Sequence, residues 1–509
     1  MRNLFSISVL VLWTLGAVAQ SVTIRPNVVS NPRLTYDAIA ALPNPQEGDT
    51  VYDLTFKCLR VYTGSKWVCT FQNPADPTPN MAAIASAGGT SFDAGQSITT
   101  DASGNVYVTG YFQSTASFAG TNITSPAGLA DIFIAKYNSS GILQWVRSAG
   151  GALYDYGEGI ATDASGNVYV TGRYQGTATF GNTTITSAGS SDVFVAKYNT
   201  SGTLLWVRSG GGGGGDSSSD ITVDVSGNVY VTGHFEGLAS FSNNFLISSK
   251  GYDDIFVTKY NSSGTAQWVR SAGGVSSDQG NDIATDALGN IYVIGDYEDT
   301  ANFAGTTITS EGKTDIFIAK YNSGGALQWV RSAGGISFDG GNGIATDVSG
   351  NIYVTGWYSD QASYGGRLIR SVDDGVDIYV AKYNSSGTLL WVRTAGGGSS
   401  DRGNSITTDA SGNVYVTGYF QSTASFTGTT ITSVGETDIF IAKYLSNSAV
   451  QWVLSAGGVY SDEGLCIATD ASENVYLGGG YRDIVSFRLT TIVSLESSYD
   501  IFVARVRQW

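Results

Sequence analysis

Carboxylates dominate the residues of this chain that could do chemistry. The 509 residues include 43 acidic and 27 basic side chains and one histidine, His234, for a net charge of -16. A single histidine excludes a multi-histidine metal site and leaves room for at most one His-dependent triad. Three sets of aspartates recur. Asp101, Asp163, Asp224, Asp286, Asp347, Asp409 and Asp470 open turns related to D-x-S-G-N. Asp131, Asp192, Asp254, Asp315, Asp377, Asp438 and Asp500 precede runs of the type IFIAKY. Asp93, Asp155, Asp216, Asp278, Asp339, Asp401 and Asp462 sit in Gly- and Ser-rich loops. An Asp that opens such a turn accepts backbone N–H bonds, so the first set reads as structural. The other two sets gather two carboxylates per repeat at one end of the fold. Carboxylates gathered there could bind Ca2+, which needs six to eight oxygens. Each loop supplies a single Asp with no D-x-D-x-D-G run, which favours capping and pairing with Lys or Arg; no cofactor is called for.

Paired carboxylates also serve glycoside hydrolysis, yet here they recur with the repeat and no unique pair stands out. Gly210–Gly215 lacks the Lys-Ser/Thr of a phosphate loop and reads as a slack loop. Positions that change between repeats say more about recognition. The residue assigned to the position after VTG is Tyr111, Arg173, His234, Asp296, Trp357, Tyr419 and Tyr481 in turn. Phe92, Tyr154, Phe338 and Tyr460 flank the loop aspartates, and Asp220 and Asp282 stand where other repeats have Ser or Gly. The varying residues and the loop aspartates Asp93 to Asp462 make a candidate ligand-binding rim, aromatic and acidic.

The elements that position these residues follow from a repeat. DASGNVYVTG begins at Asp101, and its relatives follow at spacings that alternate between 62 and 61 residues. Such a period outranks any local reading. Each repeat reads as a short strand a (SITTD), a tight turn, strand b (NVYVTGYF), a long excursion, strand c (DIFIAKY), an NSSG turn and strand d (LQWVRSAG). Four-stranded antiparallel units of this length bury their faces as stacked arrays or as propeller blades. The last repeat runs DIFVARVRQW and lacks strand d, while MAAIASAGG at 81–89 matches the end of WVRSAGG. These complementary halves predict an all-β, seven-bladed β-propeller of four-stranded antiparallel blades, closed by an N-terminal strand over residues 81–509. The Trp of strand d is expected to pack between blades or over the outer sheet, and the Lys and Arg of strands c and d to form solvated rows.

Residues 1–19 read as a signal peptide: Arg2, an apolar stretch from Leu4 to Leu15, then Ala17-Val18-Ala19. Residues 20–31 form an N-terminal segment, 32–72 a small β-hairpin module, and 73–80 (NPADPTPN) a stiff linker. Export permits disulfides. A two-residue Thr63-Gly64 turn would set Cys58 opposite Cys69, so that pair is expected to bond; Cys466 then reads as a buried thiol. The acidic balance repels phosphates, so nucleic acid is not expected as a partner. No segment after residue 19 is apolar for long enough to span a bilayer as a helix.

The motifs D-x-x-G-N-x-Y-V-T-G, F-x-G-x-x-I-T-S, D-I-F-I-A-K-Y-N-S-S-G and W-V-R-S-A-G-G resemble the bacterial SBBP β-propeller repeat family over about residues 82–509. That resemblance implies a seven-bladed propeller in an exported or surface protein and no particular activity. The module at 32–72 resembles small β modules of bacterial surface proteins through GDTVYD and CLRVYTGSKWV. The function expected is that of a monomeric, exported, non-enzymatic binding or adhesion propeller at the cell surface or in the medium. Its partner would be a polysaccharide or a surface protein. The alternatives are a carbohydrate-active enzyme with one carboxylate pair on the loop face, and a structural component without a ligand.

Overall fold

A computed structural model describes residues 79–507 except 243–244, together with the backbone of four strands between residues 33 and 72. The chain divides into two units, residues 1–79 and 80–508. The proposed signal peptide lies outside the described residues. No helix among the described residues is long and apolar enough to cross a membrane.

In the first unit Arg33–Leu34 runs parallel to Thr50–Asp53, which pairs antiparallel with Cys58–Tyr62, and that strand with Trp67–Gln72. Tyr62 faces Trp67, so the connection spans Thr63 to Lys66 and is longer than two residues. The register corrects the expected cysteine alignment: Cys58 stands opposite Gln72 and Cys69 opposite Arg60, with a bulge between. The side chains of both cysteines lie outside the described residues.

The second unit is an all-β propeller. Its first repeat orders strand a (Ala94–Thr100), b (Val106–Gln113), c (Ala130–Tyr137) and d (Leu143–Gly151) as one antiparallel sheet. The same a-b-c-d order runs through the repeats that follow. In the last one, Glu463–Thr469, Val475–Arg482 and Tyr499–Arg507 supply a, b and c, and the fourth place is taken by Asn80–Gly89. Ile501 pairs with Ala87 and Arg507 with Asn80, so the two ends of the second unit share one sheet. This covers an edge that would otherwise present a row of unpaired backbone groups.

Strand b is apolar on both faces because each sheet is packed between two others. Val106, Tyr107 and Val108 are fully buried. One core cluster joins Tyr107, Ile132 and Ile134 of the first repeat to Ile160, Val170 and Phe194 of the second. Each such side chain contributes about 1.5–3 kcal/mol by leaving water. The a strands lie innermost and touch in sequence. Thr162 Oγ1 donates to Thr100 O at 2.9 Å, Thr469 Oγ1 to Thr408 O at 3.0 Å, and Thr100 Oγ1 back to Thr469 O at 2.9 Å. An isoleucine from every a strand, Ile98 through Ile467, narrows the axis, where a cavity of about 270 Å³ remains.

The excursion between strands b and c is itself structured. Thr177–Phe180 and Thr183–Thr186 form a hairpin whose first strand pairs with strand d of the preceding repeat, Ala149 facing Phe180. In the first repeat the equivalent turn has both central residues at positive φ, Ala119 at 49° and Gly120 at 86°. That is the geometry of a tight hairpin turn. The hairpin therefore ties each repeat to its neighbour from outside.

Trp145 does pack between repeats. Its Nε1 donates to Thr200 O at 3.1 Å in the next repeat's c–d turn. Arg147 is exposed, as a solvated row requires, whereas Lys136 is only partly so. Arg147 Nε donates to Gly202 O at 2.9 Å, capping that same turn. Lys136 lies over the Tyr107 ring, 5.0 Å from its centroid, and 4.0 Å from Asp101. Asp101 accepts Ser103 N and Asn105 N on Oδ1, and Asn105 Nδ2 and Tyr107 OH on Oδ2. Burial works to raise its pKa, but these hydrogen bonds together outweigh it and hold the carboxyl below its ordinary value.

Candidate functional site

The loop aspartates are turned inward. Asp93, Asp155, Asp216, Asp278, Asp339, Asp401 and Asp462 have no exposed surface. Each carboxylate clamps two segments. Asp93 Oδ2 accepts Gly89 N at 2.7 Å and its Oδ1 accepts Gln113 N at 2.9 Å. Asp155 takes Gly151 N at 2.7 Å and Gln175 N at 3.1 Å in the same way, and Asp462 takes Gly458 N and Arg482 N. These seven residues fix strand d and the end of strand b beneath the loops. They leave the candidate rim for that reason: a ligand cannot reach them.

The strand-c aspartates lie against them. A Cβ built on Gly150 would stand 2.5 Å from the Asp131 carboxylate and 2.9 Å from that of Asp155. Asp131 is 3% exposed and its Oδ1 has no hydrogen-bond partner. Burial pushes both carboxyls up to about 7; for Asp131 the neighbouring Asp155 charge adds to it, and for Asp155 the backbone donors oppose it. No group of three or more His, Cys, Asp or Glu among the described residues is arranged to hold a metal ion. Two carboxylates per seam fall short of a Ca2+ cage.

The rim is built from the ladder between strands a and b. Tyr111 faces Ala94, Arg173 faces Tyr156, His234 faces Ser217, Asp296 faces Gln279, Trp357 faces Gly340, and Tyr419 faces Arg402. All six of those strand-b residues are half-buried at the loop end. Tyr481 does not belong with them. It is 1% exposed and sits in the core position of Phe112; the rim position in that repeat is Gly480, facing Glu463. The space a side chain would fill there is occupied by Tyr499, whose ring would come 1.9 Å from a Cβ on Gly480.

Two clefts open on this face. The larger, about 660 Å³, is lined by Phe92, Tyr111 and Tyr499 with Gln96, Glu463 and Arg482. Phe92, 48% exposed, stacks on Tyr499 with centroids 4.6 Å apart. Burial raises the Glu463 pKa, and Arg402 counters it. The smaller cleft, about 380 Å³, is lined by Tyr154, Tyr156, Arg173, His234, Glu236 and Asp253. Arg173 lies 4.4 Å above the Tyr156 ring and 3.8 Å from Glu158. Elsewhere on the rim Arg402 stacks over Trp357 at 4.2 Å, and Asp296 is engaged by Gly341 N at 2.7 Å and Asn281 Nδ2 at 3.0 Å.

Ser217, His234 and Asp253 meet in the smaller cleft, but they are not wired for nucleophilic catalysis. Ser217 Oγ donates to Ser218 O at 3.5 Å, and His234 Nδ1 has no hydrogen-bond partner. Burial lowers the imidazole pKa, with Asp253 opposing and Arg173 assisting. A Ser nucleophile needs the base on its own hydroxyl. Asp220 and Asp282 also leave the rim, since they line the axial cavity. There Asp282 accepts Ile283 N at 2.7 Å and, from the next repeat, Ile344 N at 2.6 Å. Cys466 is free and buried in the same wall, where burial drives its pKa far up.

Comparison with known proteins follows the same architecture. The SBBP family, described as a beta-propeller repeat, matches residues 144–173, 267–296 and 390–419. Each match runs from strand d through the loop and strand a into strand b of the next repeat, so it contains the clamp aspartate and ends on or beside the rim residue. An uncharacterised WD repeat-containing protein of Acanthamoeba polyphaga mimivirus is 23% identical over 83% of this chain and 38% of its own length. Regulatory protein FlaEY of Caulobacter vibrioides is 31% identical over 26% of this chain and 15% of its own. The chain thus spans well under half the length of both curated relatives. Among solved structures, the WD40 beta propeller domain of Doa1 shares 8% identity at a TM-score of 0.44, covering 85% of this chain and 98% of that one. The chain is similar to propeller-repeat proteins, and three of its segments match the SBBP beta-propeller repeat.

Proposed function

We propose that this is an exported, non-enzymatic binding propeller of seven blades that recognises a polysaccharide or a surface protein through its loop face. The seven-blade reading rests on the seven sequence repeats and on the pairing of Asn80–Gly89 with Tyr499–Arg507. Export rests on the leader-like residues 1–19, and the module at 32–72 would position the propeller at the surface.

The observation that carries the binding reading is the larger cleft. It sets three aromatic rings beside Gln96, Glu463 and Arg482 on a face where the scaffold residues have been turned inward. Varied side chains on a rigid ring are how a repeat fold carries specificity. The test is an array of immobilised polysaccharides and bacterial surface proteins, probed with the full chain and with Tyr111→Ala. Retention on some array member that the substitution weakens is the expected result. Retention unaffected by Tyr111→Ala, or no retention at all, would overturn the assignment of this face.

A further inference from the structure

The two clefts are not separate. Five rings run from one into the other across three consecutive repeats: Tyr499, Phe92, Tyr111, Tyr156 and Tyr154. Phe92 and Tyr499 stack at 4.6 Å, and Phe92 and Tyr111 lie nearly parallel at 6.4 Å. Tyr111 meets Tyr156 edge-on at 4.9 Å, and Tyr156 and Tyr154 are again nearly parallel at 6.3 Å. The row is therefore two platforms, the second turned by 75° from the first at the Tyr111–Tyr156 contact. Two of its rings are open to solvent, Phe92 48% and Tyr154 41% exposed.

We propose that this row and its two clefts form one extended site for the chain of a neutral or amino-sugar polysaccharide. The proposal rests on the loop face being the binding face. Its chemistry has three parts. A pyranose ring has an apolar C–H face and an edge of hydroxyls; aromatic faces flanked by Gln96 and Glu463 at one end, and by Gln175 and Glu236 at the other, match both. The turn between platforms excludes a flat, rigid ligand spanning both, while a glycan chain twists between successive sugars. Charge selects the sugar. Glu436 and Glu463 line one cleft, Glu236 and Asp253 the other. The arginines are already engaged: Arg173 by Glu158 and the Tyr156 ring, Arg482 by Ser497 O at 3.0 Å and the Tyr460 ring. Acids outnumber arginines in the lining of both clefts, so uronate or sulfate groups would meet net negative charge.

Isothermal titration with cello-, xylo-, manno- and chito-oligosaccharides, from disaccharide to hexasaccharide, tests it, with polygalacturonate as the anionic probe. Phe92→Ala and Tyr154→Ala are the variants, because both residues are exposed and lie outside the core; unchanged melting curves verify this. Leu153→Ala is the neighbouring control. In one series affinity should climb at least about tenfold from disaccharide to hexasaccharide as the second platform engages. Each ring variant should then weaken the hexasaccharide by about fivefold or more, consistent with loss of one stacking contact, while only one of them weakens the disaccharide. A hexasaccharide sensitive to one variant alone, a preference for polygalacturonate, or no saccharide binding overturns the extended site. If a surface protein is retained instead and Tyr111→Ala weakens it, the binding face stands and the polysaccharide assignment falls. If no retained probe responds to any of the three aromatic substitutions, the binding face itself is wrong.

Discussion

Acid should stabilise this protein, and one seam shows why. Asp131 and Asp155 converge beside Gly150, enclosed between two repeats. Asp155 carries two backbone donors, whereas Asp131 Oδ1 has none. The proton shared by the pair therefore belongs on Asp131. Burial, with the Asp155 charge adding to it, raises the Asp131 carboxyl from its ordinary value of 3.8 up to about 7. Between those values the folded chain keeps a proton that the unfolded chain has lost, so stability is highest below the unfolded pKa and falls as pH rises through the window. One retained proton corresponds to a slope of about 1.4 kcal/mol per pH unit. Asp131→Asn is a permanent imitation of the protonated form. Relative to the parent it should be near neutral below about pH 4 and increasingly favourable up to about pH 7, where the difference levels off, its slope shallower by about 1.4 kcal/mol per unit inside that window. Asp155→Asn instead removes the charged acceptor of two partly buried N–H groups and should cost about 2–3 kcal/mol. Urea unfolding followed by tryptophan fluorescence across this pH range measures both. Equal destabilisation by the two variants at every pH, or a parent whose stability is flat or rises between about pH 5 and about pH 7, would refute the assignment.

Three further outcomes follow from the fold. Deleting residues 80–89 uncovers the Tyr499–Arg507 edge and removes buried Met81 and Ala87; thermal unfolding should drop by several degrees at least, corresponding to more than about 2 kcal/mol. Gly202→Ala forces a side chain at φ +74° and places its Cβ 2.8 Å from the Trp145 ring, so it should cost more than about 1 kcal/mol in urea unfolding, with a blue- or red-shifted Trp spectrum as the local signature. EDTA should leave the melting temperature unchanged, because each seam offers two carboxylates where Ca2+ needs a fuller cage.

Much of this fold is legible in the residues. The 62- and 61-residue spacing sets the repeat, and the likeness of MAAIASAGG to WVRSAGG points to the strand that completes the last sheet. The candidate rim was legible in part. The loop aspartates are the same in every repeat, which is the mark of scaffold, and their clamp role follows once strand d and strand b must be joined under a loop. Tyr481 is misplaced by one residue because LGG replaces VTG there and a further glycine follows it; counting ten residues from each turn aspartate leads from Asp101 to Tyr111 and from Asp470 to Gly480. Tyr156, Arg402 and Glu463 carry a signal of their own, since the residue after each loop aspartate varies as freely as the residue across the ladder from it. Tyr499 and Asp253 share another varying position, just before the strand-c aspartate. What periodicity does not convey is which varying side chains converge, because that depends on the angle between neighbouring sheets. The excursion's hairpin was hidden for a similar reason: its partner strand lies in the preceding repeat.

The most direct test of the central claim is hydrogen–deuterium exchange on the full chain, with and without the polysaccharide or protein retained on the array. Binding at the proposed face predicts slowed exchange in peptides covering 88–96, 151–158, 458–465 and 495–500, and none at the a–b turns of 101–105 and 163–167. Protection confined to those turns, on the opposite side of the ring, would contradict it.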